Sequence, residues 1–191
     1  MNTARNQYIY AMKYVYILVS ILTLSACKDS TKSDLGKEVV SEISEATSGA
    51  ISEERIPFLS YSELEPLLQK KNDTTYVVNF WATWCKPCIA ELPYFEKINK
   101  SYSEKKVKVI LVSLDFPKKV ESQVLPFIKK NKLQSHIVLL DDPDANSWIP
   151  KVDETWSGAI PATLIYKNDS RKFYEKSFTY DELENEIQSI L

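Results

Sequence analysis

Apolar residues along this chain fall into short unbroken runs and into series spaced three or four apart, and the alternation predicts strands separated by helices. The run Thr75-Tyr76-Val77-Val78-Asn79-Phe80-Trp81 is β-branched and aromatic, and apolar on both faces near its middle. That is the pattern of a central strand buried on both sides. Residues 107–114 and 136–140 are further apolar runs. Between the first two runs, Ile89, Leu92, Phe95, Ile98 and Tyr102 recur on one side of a helix expected to run to about residue 105, started by Pro87 and kinked at Pro93. Residues 120–130 predict a helix, and residues 146–149 a short helical stretch. Upstream, residues 55–59 read as a short strand, and residues 61–71 as a helix capped by Ser62, with Leu64, Leu67 and Leu68 on one face. Residues 162–166 and 171–176, joined by Asn168-Asp169, read as a hairpin. A closing helix over 180–191 is expected to turn Leu183, Ile187, Ile190 and Leu191 inward. Together these elements predict an α/β domain with a central mixed sheet, mostly parallel, flanked by helices and ending in an antiparallel hairpin.

Composition narrows the class. A chain of 191 residues, 44% hydrophobic and 12% aromatic, can bury a core without a framework of disulfides. Its formal charge of -2 and the lack of a long Lys or Arg block argue against a nucleic-acid partner. The N-terminus differs from the rest: Arg5 and Lys13 precede an apolar stretch over 14–24, the length of a secretory h-region and short of the roughly 20 residues that span a bilayer. An uncleaved anchor is the competing reading. Leu24-Ser25-Ala26-Cys27 follows and resembles the lipobox of bacterial lipoproteins. The resemblance implies a signal peptide over 1–26, cleavage before Cys27 and lipidation of that cysteine, giving a stable membrane anchor. Residues 27–54 lack aromatics and proline and are rich in Ser, Thr, Glu, Lys and Asp. They read as a flexible tether reaching on the order of 30 Å, or alternatively as containing a short amphipathic helix through Val39, Val40 and Ile43.

The candidate chemistry lies where the first apolar run breaks: Trp84-Cys85-Lys86-Pro87-Cys88. Two thiols three positions apart, at the end of a strand and the start of a helix, can close a small disulfide. The unpaired N–H groups of the helix start favour a thiolate at the first. Cys85, beside Lys86, is the expected nucleophile and Cys88 the resolving thiol. A structural disulfide and half of a zinc site are the bland alternatives. Zinc would need further ligands, and His136 is the single histidine, on a predicted strand. No metal and no cofactor are called for. Glu91, three residues after Cys88, shares its helix face and could accept its proton, or could simply face water. Asp141-Asp142-Pro143-Asp144 reads as a turn before it reads as a cation site.

The segment Asn79-Phe80-Trp81-Ala82-Thr83-Trp84-Cys85-Lys86-Pro87-Cys88 resembles the active-site segment of thioredoxin-fold proteins, and most closely the membrane-tethered TlpA/ResA group of extracytoplasmic thiol-disulfide oxidoreductases. Glu91-Leu92-Pro93 follows the second cysteine as it does in that group. Ile160-Pro161-Ala162-Thr163 resembles the cis-proline loop, and residues 120–140 lie where the group carries a helix-strand insertion. A departure is Asn79, where plain thioredoxin has a buried aspartate. The resemblance implies a thioredoxin-like domain over 55–191 and a cis peptide before Pro161. It also implies a substrate contact formed by Trp84, Ile160 and Pro161; for Trp156 a place at that contact and one in the core are both open. It further implies a redox disulfide between Cys85 and Cys88, exported protein thiols or disulfides as partners, and an electron donor in the membrane of the DsbD type. Location in the bacterial cell envelope, with the domain outside the cytoplasm and in the periplasm, completes the expectation. A binding module with a permanent disulfide and a thiol peroxidase are the alternatives.

Overall fold

The structure is a computed structural model and describes residues 55–191. The expectations for the signal peptide, Cys27 and the tether over 27–54 lie outside the described residues. Six strands form one sheet, β1 (Phe58–Leu59), β2 (Thr75–Trp81), β3 (Val107–Ser113), β4 (His136–Leu140), β5 (Ala162–Lys167) and β6 (Ser170–Tyr174), in the order β1-β4-β3-β2-β5-β6. β1, β4, β3 and β2 run parallel, while β5 and β6 are antiparallel to their neighbours. All seven residues of β2 are buried, as its apolar run predicts for a strand covered on both faces.

Period-two alternation divides β2 between two cores. Val77 and Trp81 face α2 (Lys86–Ser101) and α5 (Tyr180–Gln188), and pack with Leu92, Phe95, Ile98, Leu183 and Ile187. Tyr76, Val78 and Phe80 face the other way, toward Tyr61, Leu64, Trp148 and Trp156 of α1 (Tyr61–Leu64), α4 (Ala145–Val152) and the loop after it. Asn79 shares the face of Val77 and Trp81, so a polar group sits beneath the α2 helix. No described helix is long and apolar enough to cross a membrane.

Several elements differ from the sequence expectation, and proline accounts for two of them. The helix expected over 61–71 is one turn, Tyr61–Leu64, followed by a 3-10 turn at Glu65–Leu67, because Pro66 cannot donate to the ladder. Its N-cap is Ser60, not Ser62; the Ser60 N–H donates to Glu63 Oε2 at 2.9 Å. The helix expected over 120–130 opens with a π-turn, Val120–Val124, before α3 (Leu125–Asn131). Pro126 lacks the N–H that would reach residue 122, and the wider turn absorbs the loss. α2 passes through Pro93, ends at Ser101, and is followed by a 3-10 turn at Ser103–Lys105. Ile89 is only half-buried and lines a cleft of about 240 Å³ with Pro93, Phe127 and Leu133. The last helix stops at Gln188, leaving Leu191 exposed where an inward position was expected.

Candidate active site at the start of α2

The site is built where β2 ends. Ala82 accepts the Cys85 N–H at 3.1 Å, which turns the chain out of the sheet, and Cys85 is the N-cap of α2. Cys85 Sγ accepts the Cys88 N–H at 3.3 Å, so the sulfur occupies the place a capping oxygen usually takes. The two sulfurs are joined in a disulfide, the oxidised form of the pair. Cys88 is fully buried and Cys85 nearly so, while Trp84 beside them is 59% exposed.

The loop before β5 meets this turn from the side. The Ile160–Pro161 peptide is cis, and the Ile160 carbonyl oxygen lies 3.8 Å from Cys85 Sγ. Pro161 is buried and Ile160 half-buried. Trp156 is not at the surface: its Nε1–H donates to the Ala159 carbonyl at 2.8 Å, and its ring packs on Phe80, Trp148 and Phe173. Of its two readings, the core one holds, and Trp156 supports the loop from beneath.

Glu91 points into the protein. It is 1% exposed, accepts from Asn79 Nδ2 at 2.9 Å and from the Phe178 N–H at 2.8 Å, and lies on the Cys88 side of α2. Asn79 also donates to Thr163 Oγ1 at 3.1 Å, the residue opposite it in the β2–β5 register. Burial pushes the Glu91 carboxyl up to about 7, against the two hydrogen bonds, which favour the charged form. A buried carboxyl thus lies one helical turn after Cys88 on α2; the reading of Glu91 as a solvated helix-start acid is corrected by its burial.

Asp115 escaped the sequence reading. It follows β3 and is buried, and its carboxylate accepts the Thr83 N–H at 3.0 and 3.2 Å, the Thr83 hydroxyl at 2.5 Å and the Ser113 hydroxyl at 2.9 Å. A single acid separated by 32 residues from the loop it holds leaves no local spacing signal. His136 opens β4 in register with Ile110, which pairs with Val78 near the middle of β2, away from the strand end that carries the dithiol. Asp142 accepts the N–H groups of Tyr61 at 3.1 Å and Asp144 at 3.1 Å, which makes the acidic cluster a structured turn.

A dithiol at a strand-to-helix junction, faced by a cis-proline loop on a mixed sheet of this order, defines a thioredoxin-fold protein. The chain belongs to the AhpC/TSA family, matched over residues 64–170. It is similar to the thiol-disulfide oxidoreductase ResA of Oceanobacillus iheyensis, 32% identical over 116 residues, covering 60% of this chain and 56% of that protein. A second relative of the same name, from Bacillus cereus, is 32% identical over 117 residues, covering 59% of this chain and 61% of the relative. The matched region is thus less than two thirds of either relative's length. In fold it resembles a solved thiol:disulfide interchange protein of the thioredoxin family from Chlorobium tepidum, with a TM-score of 0.52 at 16% identity, covering 65% of this chain and 83% of that one.

Proposed function

We propose that this chain is an extracytoplasmic thiol-disulfide oxidoreductase that reduces disulfides of exported proteins. The observation that carries the reading is the position of Cys85 Sγ, capping α2 and 3.8 Å from the Ile160 carbonyl. That places a thiol stabilised as thiolate next to backbone on which an extended substrate can pair. The names of the ResA relatives support the same chemistry.

In the proposed reaction the reduced Cys85 thiolate attacks one sulfur of a substrate disulfide. A Cys85–substrate bond forms, and the other substrate sulfur leaves as a thiolate that takes a proton. Cys88, deprotonated, then attacks Cys85 Sγ, closing the Cys85–Cys88 disulfide and releasing the second substrate thiol. Two electrons pass from the dithiol to the substrate. An external dithiol, in a membrane donor of the DsbD type, restores the reduced pair. Glu91 accepts the Cys88 proton, directly or through water, a task suited to an acid held near neutrality. Trp84, Ile160 and Pro161 border the substrate segment. Cys27 carries the lipid that keeps the domain at the envelope, the tether over 27–54 spans from it, and the domain works in the periplasm.

A Cys88→Ser variant cannot resolve the intermediate, so mixed disulfides should accumulate on Cys85 in cells and identify the substrates by mass. An empty trap, together with failure of the reduced wild-type chain to cleave insulin disulfides, overturns the reading. Fast peroxide consumption in their place would move the chain to the thiol peroxidases.

A further inference from the structure

Two exposed aromatic side chains flank one hydrogen-bonded junction beside the dithiol. Phe116 is 70% exposed and Trp84 59% exposed, the two most exposed large apolar residues among those described. The residues before them are joined: Thr83 donates its N–H and hydroxyl to Asp115, so the chain leaves that contact toward Trp84 on one strand end and toward Phe116 on the other. Three lysines adjoin these aromatics in the chain. Lys86 follows Cys85, and Lys118 and Lys119 lie in the 3-10 turn Pro117–Lys119 that begins after Phe116. All three are exposed, and among the described residues none of them takes part in an ion pair. Glu121 is the exposed acid that follows in sequence, Asp141 and Asp144 are exposed past the end of the neighbouring strand β4, and Asp115 is buried with its oxygens occupied by Thr83 and Ser113. On the cis-proline side, Glu175 is held by the Ser157 N–H at 2.8 Å and by the Ser157 hydroxyl.

We propose that this aromatic and lysine rim is the docking surface for substrates in which the target cysteine is flanked by an apolar side chain and by carboxylates. The proposal rests on the oxidoreductase reading and names its substrate class. An apolar patch left open next to a reactive sulfur contributes affinity when a partner's side chain covers it. Unpaired lysines around it raise the encounter rate with an acidic segment and disfavour a basic one. The choice of an acidic partner follows from Lys86, Lys118 and Lys119, the exposed cations that adjoin Cys85 and Phe116 in the chain, whereas the exposed Asp141 and Asp144 lie past the end of the neighbouring strand β4.

The test uses the full-length chain, reduced and freed of reductant, in single turnover against two disulfide-linked peptides. Each has Leu beside the cysteine; one carries two Asp residues and the other two Lys residues. The second-order rate constant should favour the Asp peptide by on the order of tenfold at low salt, and by roughly twofold or less at high salt, because rim charges are screened within a Debye length. The double variant Lys118→Glu/Lys119→Glu should erase or invert this ratio. Phe116→Ser should lower the rate for the Leu peptide several-fold relative to a Gly counterpart, as expected when an apolar side chain is only partly covered at a rim. Equal rates for the Asp and Lys peptides, insensitive to both variants, overturn the docking proposal while leaving the exchange reading standing. Cleavage of neither peptide overturns the exchange reading itself. Salt-sensitive dimerisation abolished by Phe116→Ser gives the surface to a second copy of the chain and also overturns the proposal.

Discussion

Glu91 is a carboxyl group whose titration should be readable in stability as well as in rate. Its folded-state value near 7 lies above the ordinary carboxylate range, so between about 4.5 and 7 the folded chain holds a proton that the unfolded chain has lost. The contribution is therefore present in full below about pH 4.5 and lost as pH rises through 7, a change of up to about 3 kcal/mol. Urea unfolding of wild type and Glu91→Gln at pH 5 and pH 8 should show this fall in the wild type, with the variant's curve flatter by that amount. In exchange assays, Glu91→Gln should slow the resolving step on the order of a hundredfold and remove the inflection near pH 7, as expected for loss of a general base. A wild-type profile in the variant would leave Glu91 with a structural role only. At this scale the sequence disclosed what is local: the Cys85–Cys88 spacing, and Glu91 one helical turn along. It did not disclose Asp115 or the Thr163 hydroxyl, whose roles come from chain segments brought together only by the sheet.

Among the elements, those defined by unbroken apolar runs agree with expectation, β4 residue for residue and β2 at both ends. Two of the misses lie at Pro66 and Pro126, where hydrophobic spacing continued through a residue that cannot donate its main-chain hydrogen bond, and two are early helix ends, at Ser101 and Gln188. Periodicity reports which side faces the core, not whether the ladder can close. The start of α5 is of the opposite kind, with sequence and geometry in agreement. Thr179 accepts the Glu182 N–H at 3.4 Å, and Glu182 takes the Thr179 N–H at 2.8 Å. Thr179→Ala should cost about 1 kcal/mol in chemical denaturation, the usual worth of such a cap. Because the Phe178 N–H just before the cap holds Glu91, the same variant offers a measure of how far α5 steadies that carboxyl.

For the whole molecule, alternation of runs and spaced series was enough to place a mixed sheet between helices, whereas the strand order β1-β4-β3-β2-β5-β6, set by pairings between distant segments, was not legible in it. How the chain reaches its place of work is the proposal that depends on the N-terminus. If Cys27 is lipidated, the mature protein should partition into the detergent phase on Triton X-114 separation, and Cys27→Ala should move it to the aqueous phase. An unchanged partition would remove the lipid anchor from the proposal and leave the dithiol chemistry untouched.

Asn79 has one more property that follows from its surroundings. Its Oδ1 is buried and has no hydrogen-bond partner among the described residues, while its Nδ2 serves both Glu91 and Thr163. Turned end for end, the same amide would offer that oxygen to a protonated Glu91, and Thr163 would change from acceptor to donor. One side chain thus has a setting for each charge of its neighbour. A half-turn of that amide would let one side chain match its hydrogen bonding to either charge of Glu91 as each proton arrives and departs.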